Sequence, residues 1–274
     1  MLSVNTNVGA MAALQFLNQT QSELQVTQSH INSGLKVANA KDNGAVFAIA
    51  QNMRGNIAGY SAVSDSLNRG ISTVDVAISA GQSISDLLNE LKGKALAAAD
   101  ASLDTASRNA LDADFTALRD QITTIVQNAS FNGTNLVDGS VANFQALASA
   151  DGTKKITASG QTLSLSGTIV TLTSTGTIST QTGASTMVST INTSIANVNA
   201  ALAKMASSSK KFGIQATFVS KLVDTLNAGV GNLVDADMAV ESAKLQSLQV
   251  KQQLGVQALS IANQAPSITL SLFR

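Results

Sequence analysis

Val188-STINTSIANVNAALAKMASSSKKFGIQATFVSKLVDTLNAGVGN-Leu233 is the stretch that decides how this chain folds. Val188, Ile191, Ile195, Val198, Leu202, Met205, Ser209, Phe212, Ala216, Val219, Val223, Leu226, Val230 and Leu233 follow one another in strictly alternating three- and four-residue steps, with Ser209 alone polar. A 3.5-residue period keeps one stripe of a helix facing a partner as the helices supercoil left-handedly. At about 1.5 Å per residue the stripe is roughly 70 Å long, against ~11–12 residues for an ordinary globular helix. The stretch predicts a long paired helix, weakened by Gly213, Gly229 and Gly231, and a rod-like, structural protein.

Working outward, the same step pattern recurs near the start in Thr6, Ala10, Ala13, Leu17, Thr20, Leu24, Thr27 and Ile31, a narrow seam that stops at Ser33-Gly34. Asp42 is the expected N-cap of a second long helix carrying Ile49, Met53, Ile57, Tyr60, Leu67, Ile71, Val74, Ile78, Leu88, Leu91 and Ala95. Asp100 to Ser107 interrupts it, and a shorter helix follows with Leu111, Phe115, Leu118, Ile122 and Ile125. Asn132-Gly133 then signals a tight turn.

Between Ser149 and Ser194, 22 of 46 residues are Ser or Thr, so this segment differs sharply from its flanks. Thr162–Ser166 and Val170–Thr173 alternate polar with apolar, the period of a half-buried strand. Residues 141–187 are expected to form a small β element on the outside of the helices, with low-complexity disorder as the competing reading. The last helix begins near Asp235 or Asp237 and carries two apolar stripes: Val240, Ala243, Val250, Leu254, Ile261, and Leu245, Leu248, Val256, Leu259. So wide an arc exceeds what one antiparallel neighbour covers; it fits either a buried core helix or one that touches a second subunit as well. Pro266, the one proline, is expected to end it. The fold class is mainly α: long antiparallel helices, N- and C-terminal arms paired, with a small β-hairpin region mid-chain.

Charged residues make up 12% of the chain, against roughly 25% in a typical soluble domain. The shortfall points to a surface that meets other protein, or one coated with uncharged Ser, Thr, Asn and Gln. Seventeen basic and seventeen acidic residues cancel, leaving no cationic field for nucleic acid or anionic lipid. No apolar run approaches a membrane span, and Met1-Leu2-Ser3-Val4 has no signal-peptide character. Zero Cys fits the cytosol, and equally a protein exported unfolded.

Nothing supports catalysis or a cofactor. His30 is the only histidine and reads as a rim position on the first helix. One His makes no two-His metal site and there is no Cys nucleophile. No G-x-G-x-x-G or Walker A sequence is present, and Gly229-Val230-Gly231 is an isolated fragment that reads as a helix break. Asp112/Asp114 and Asp235/Asp237 lie two apart, pointing in different directions on a helix, and read as caps and surface charges.

Several motifs, in order and with the right gap, resemble bacterial flagellin. They are Ser3-Val4-Asn5-Thr6-Asn7, Ile31-Asn32-Ser33-Gly34-Leu35-Lys36-Val37, Ala40-Lys41-Asp42, Ala48-Ile49-Ala50, Asn68-Arg69-Gly70-Ile71-Ser72 and Phe131-Asn132-Gly133-Thr134 with Leu136. At the far end come Asp235-Ala236-Asp237-Met238-Ala239, Ala262-Asn263-Gln264-Ala265-Pro266 and Leu270-Ser271-Leu272-Phe273-Arg274. The resemblance covers roughly 1–140 and 188–274 and implies a short form without large outer domains. Its expected parts are a terminal coiled-coil layer of 1–36 plus 236–274, a helical shaft of 37–140 plus 188–235, and the outward-facing element 141–187. It implies export unfolded through a type III channel and polymerisation with identical subunits into the flagellar filament. An export chaperone, a filament cap and hook-junction proteins are the further partners it implies. Gly93 and Lys94 replace the acidic and leucine positions of the segment read by Toll-like receptor 5, so that receptor is not counted as a partner.

Ordering a residue costs about 1–2 kcal/mol in backbone entropy, while a well-buried Leu or Ile returns about 1.5–3 kcal/mol. Only Leu17, Leu24 and Ile31 are large in the first seam, so the arms are expected to order on assembly. The expected polymer interface is Ala13, Leu17, Leu24, Ile31, Val240, Leu245, Leu248, Val250, Leu254, Leu259 and Ile261. The expected shaft core is Phe115, Leu118, Ile122, Val198, Leu202, Phe212, Val219 and Leu226. Thr168, Thr171, Thr173, Thr175 and Thr177 are candidate O-glycan acceptors, with a plain hydrated surface as the other reading. The rivals to a flagellin are a hook–filament junction protein of the same family and a secreted coiled-coil adhesin.

Overall fold

The computed structural model describes the backbone of residues 6–271 and the side chains of residues 6–264. Motif residues Ser3, Val4, Asn5, Leu272, Phe273 and Arg274 lie outside the described residues. The elements run α1 Val8–Ser33, α2 Gly44–Ala98, α3 Thr105–Asn128, β1 Ser130–Phe131, β2 Thr134–Asn135, β3 Asn143–Leu147, β4 Lys155–Ser159, α4 Gln181–Val234 and α5 Met238–Ser271. The chain divides into two compact units, residues 1–55 with 225–274 and residues 56–224. Those divisions fall inside α2 and α4, whereas the sequence reading placed boundaries at the α1–α2 and α4–α5 turns, near 36 and 236.

In the first unit α1 and α5 pair antiparallel along the narrow seam. α1 closes on Gly34, whose left-handed φ of 72° lets its N–H reach the His30 carbonyl. The turns after α1 and after α4 zip together: Lys36 N donates to the Val234 carbonyl at 2.8 Å and Ala236 N to the Gly34 carbonyl at 2.9 Å. Asn43, rather than Asp42, caps α2, its Oδ1 accepting from Val46 N at 3.1 Å. Asp42 turns back and accepts from the amides of Ala38 and Asn39, closing the connecting loop. Pro266 does not end α5, which continues to Ser271.

The second unit holds the main core, where Leu67, Ile84, Leu88, Leu91, Phe115, Ile122, Ile191, Val198, Phe212 and Val219 are all buried. Within it α2 and α4 run antiparallel at close range. A Cβ on Gly81 would lie 2.8 Å from Leu202, and one on Gly70 3.3 Å from Phe212, so these glycines let the helices approach. All fourteen stripe positions of 188–233 are buried or half-buried, and α4 begins seven residues earlier, at Gln181.

Asn132 and Gly133 both have positive φ, 48° and 77°, the twisted two-residue turn that joins β1 to β2. The β3–β4 hairpin packs on the helices through Phe144, edge-on to Phe212 with centroids 6.3 Å apart, and through Leu147 N, which donates to Ser66 Oγ. Thr162–Ser166 and Val170–Thr173 are not strands. Their alternation is real, since Leu163, Val170 and Leu172 are fully buried, but these apolar residues plug the helical core without forming a ladder. Side chains pin this irregular segment down. Arg119 Nη1 donates to the Gly176 carbonyl at 2.7 Å, and Asp112 Oδ1 accepts from Ile178 N at 2.6 Å. Asp112 is therefore a half-buried anchor and no surface charge, whereas Asp114 meets Lys94 Nζ at 2.6 Å near the surface.

Candidate assembly surface

Which faces α1 and α5 turn inward follows from their sequences. Along α1 the three/four rhythm of Ala10, Ala13, Leu17, Thr20, Leu24, Thr27 and Ile31 puts seven side chains on the α5 side, and all are buried or half-buried. α5 answers with Leu245 and Leu259, half-buried, and Leu248, buried. A Cβ on Gly255 would come 3.3 Å from Leu17, so the two helices lie close there. Three polar contacts hold one antiparallel register. Asn7 Nδ2 donates to the Ala262 carbonyl at 2.6 Å, Gln252 Nε2 to Gln21 Oε1 at 2.6 Å, and His30 Nδ1 lies 3.0 Å from Glu241 Oε1. His30 thus sits on the seam's rim with a carboxylate beside it, a partner that sequence alone did not reveal.

The eleven expected interface residues consequently divide. Ala13, Leu17, Leu24, Ile31, Leu245, Leu248 and Leu259 face the partner helix of their own chain. Val240, Val250, Leu254 and Ile261 face away from it, between 54% and 66% exposed. Outward-facing Val8, Met11, Leu14, Phe16 and Val26 on α1, with Val8 at 70% and Phe16 at 68%, were missed. A signal was there: more of the large apolar residues of α1 lie off its seam than on it. Val256 and Met238 add to the exposed apolar side of α5. In the second unit, among the described residues, only Leu96, Ile214 and Phe218 are large, apolar and exposed.

Of the expected shaft core, Phe115, Ile122, Val198, Phe212 and Val219 are buried, and Leu118 and Leu202 pack half-buried against that cluster. Leu226 is not part of it. It is half-buried and belongs to the first unit, because the apolar stripe runs on past residue 224 while its surroundings change. Of the candidate glycan acceptors, Thr168, Thr173, Thr175 and Thr177 are exposed. Thr171 is not available: its hydroxyl lies half-buried between Ser194 Oγ, at 3.0 Å, and the Thr190 carbonyl.

The α1–α5 pair therefore carries apolar side chains on both its inner and its outer faces. Residues 4–142 match the bacterial flagellin N-terminal helical region and residues 188–273 the bacterial flagellin C-terminal helical region. The chain belongs to the bacterial flagellins. It is 56% identical to Flagellin FljK of Caulobacter vibrioides over 99% of this chain and 98% of that one. A flagellin of Brucella melitensis is 35% identical over the whole of both chains. This flagellin is thus a structural subunit of the flagellar filament, and residues 143–187 stand where the two family regions leave a gap. Among the described residues no helix is long and apolar enough to cross a membrane, and no group of three His, Asp or Glu could hold a metal ion.

Proposed function

We propose that α1 and α5 form the layer through which identical subunits join, and that they complete their folding in the filament. The observation that carries this reading is the exposed row Val240, Val250, Leu254 and Ile261 on α5, matched by Val8, Met11, Leu14 and Phe16 on α1. So many large apolar side chains left in water are costly there and mark an interaction site. The inner seam of α1 is built of Ala and Thr around three large residues, so much of what must offset its ordering entropy comes from neighbouring copies. Coupling order to assembly also keeps the chain from polymerising before a nucleus exists.

The chain is read as leaving the cell unfolded by the flagellar export route, with an export chaperone, a filament cap and hook-junction proteins as its further partners. Its role is read as structural, without catalysis. Circular dichroism before and after seeded polymerisation tests the central claim. Helix content should rise as filaments form; equal content in monomer and filament would sink it. The exposed Thr168, Thr173, Thr175 and Thr177 are proposed O-glycan acceptors. Intact mass of filament protein decides this, since a mass equal to the bare chain removes the glycan.

A further inference from the structure

Pro266 has no N–H, so inside α5 it cannot donate to the carbonyl four residues earlier, which belongs to Ala262. That same carbonyl is the one the Asn7 side chain reaches, 2.6 Å away. The other end of the Asn7 amide is also engaged: Oδ1 accepts from Ala10 N at 3.0 Å and caps α1. One amide therefore starts α1 and completes the hydrogen bonding of α5, and its orientation is fixed because each end can serve only one of the two roles. We propose that Asn7 and Pro266 form a register lock, in which the proline withholds a bond that only a correctly aligned α1 can supply.

A lock is useful because the seam itself discriminates poorly. Ala13, Thr20 and Thr27 recur at the heptad spacing, so sliding α1 by about two turns sets small residues of this row against much the same partners. In paired helices a single polar contact commonly fixes alignment where apolar packing does not. Asn7 sits at the first turn of α1, where the Gln21–Gln252 and His30–Glu241 contacts, both farther along the seam, exert the least leverage. A chain that orders during assembly, as proposed above, needs this choice made each time a subunit docks.

The lock rests on the reading of α1 and α5 as the assembly layer, and the test separates the two. Asn7→Ser retains a good N-cap but is too short to bridge to Ala262. Pro266→Ala restores the backbone donor within α5. Filaments of full-length protein are grown on seeds and their depolymerisation rate is measured at one elevated temperature. Asn7→Ser should fall apart about five- to tenfold faster than the parent, as expected for an acceptor left without its partner. In the Pro266→Ala background the same change should have no effect. If Asn7→Ser filaments do not grow at all, growth of the double variant supports the lock, and failure of both variants overturns it. Equal sensitivity to Asn7→Ser in both backgrounds, or no sensitivity in the parent, also overturns it. Failure of the unmodified chain to form filaments would count against the assembly reading instead.

Discussion

The two units spend their apolar residues differently. In the second unit, Phe115, Phe212, Leu67, Ile84 and Leu91 are fully buried within one chain, and three large apolar residues remain exposed among those described. In the first unit, α1 and α5 bury a thin line of mostly small residues and expose Val8, Phe16, Val250, Leu254 and Ile261. The lesson is that hydrophobicity alone does not tell a core from an interface. What separates them is whether the periodic stripe takes in most of the large side chains, as in α4, or leaves more than half of them outside it, as in α1.

The largest effect expected from that contrast is Leu254→Asp. A charge in the exposed α5 row has no folded contact to break in the monomer, but it must be desolvated when another subunit covers it. Seeded growth should stop entirely, while the urea midpoint of the monomer stays put. Normal filaments from this variant would erase the distinction between the two regions. Next comes its converse, Phe212→Ala, which removes a ring packed against Phe144 and close to Gly70. Loss of such a side chain costs about 3–5 kcal/mol, so urea denaturation of the monomer should shift strongly to lower concentration. A shift no larger than that of a surface substitution would show that the second unit's core is not where its stability lies.

A smaller effect tests how the Ser/Thr-rich segment is held. Asp112→Ala leaves the N–H of buried Ile178 without its acceptor, a loss of about 1–3 kcal/mol. Proteolysis between residues 160 and 180 should quicken while α1 and α5 are cleaved as before. Unchanged cleavage in that segment would mean that Leu163, Val170, Leu172 and Ile178 hold it unaided.

How much of this was legible in the sequence depended on whether the controlling contact was local. The stripe from Val188 to Leu233 was readable because helix periodicity is set within the helix, and each of its members does face inward. Asn132-Gly133 was readable because a two-residue turn needs positive φ at both positions. Asp42 and Asn43 are adjacent and both able to cap, so composition could not say which would point forward into α2. The alternation in 162–173 reported which side chains are buried, and burial was then mistaken for strand pairing. Asp112 looked like surface charge because its partner lies 66 positions away. Pro266 was misjudged for a like reason. The rule that proline stops a helix counts the bond it loses, and the replacement comes from Asn7, 255 positions distant from Ala262.

The mildest prediction concerns a cap in the second unit, outside the proposed assembly layer. Asp104 Oδ1 accepts from Ser107 N at 2.8 Å, and the hydrogen bonds from Ser107 hold its carboxyl below the ordinary carboxylate range. A carboxyl lowered in the folded state binds its proton more readily when the chain is unfolded. The stability it adds is present above the ordinary value and is lost as pH falls past that value toward the lowered one. The side chain is fully exposed, so solvent screening keeps the effect small. Asp104→Asn retains a side-chain acceptor for the α3 amides and removes the titration. Thermal melts of the monomer between neutral and acidic pH should therefore show a slightly flatter acid limb for the variant, with filament growth at neutral pH untouched. A variant that melts with the parent's pH dependence would place the acid sensitivity on other caps, of which Asp100, lowered by its hydrogen bonds with Ser102, is the nearest in the chain.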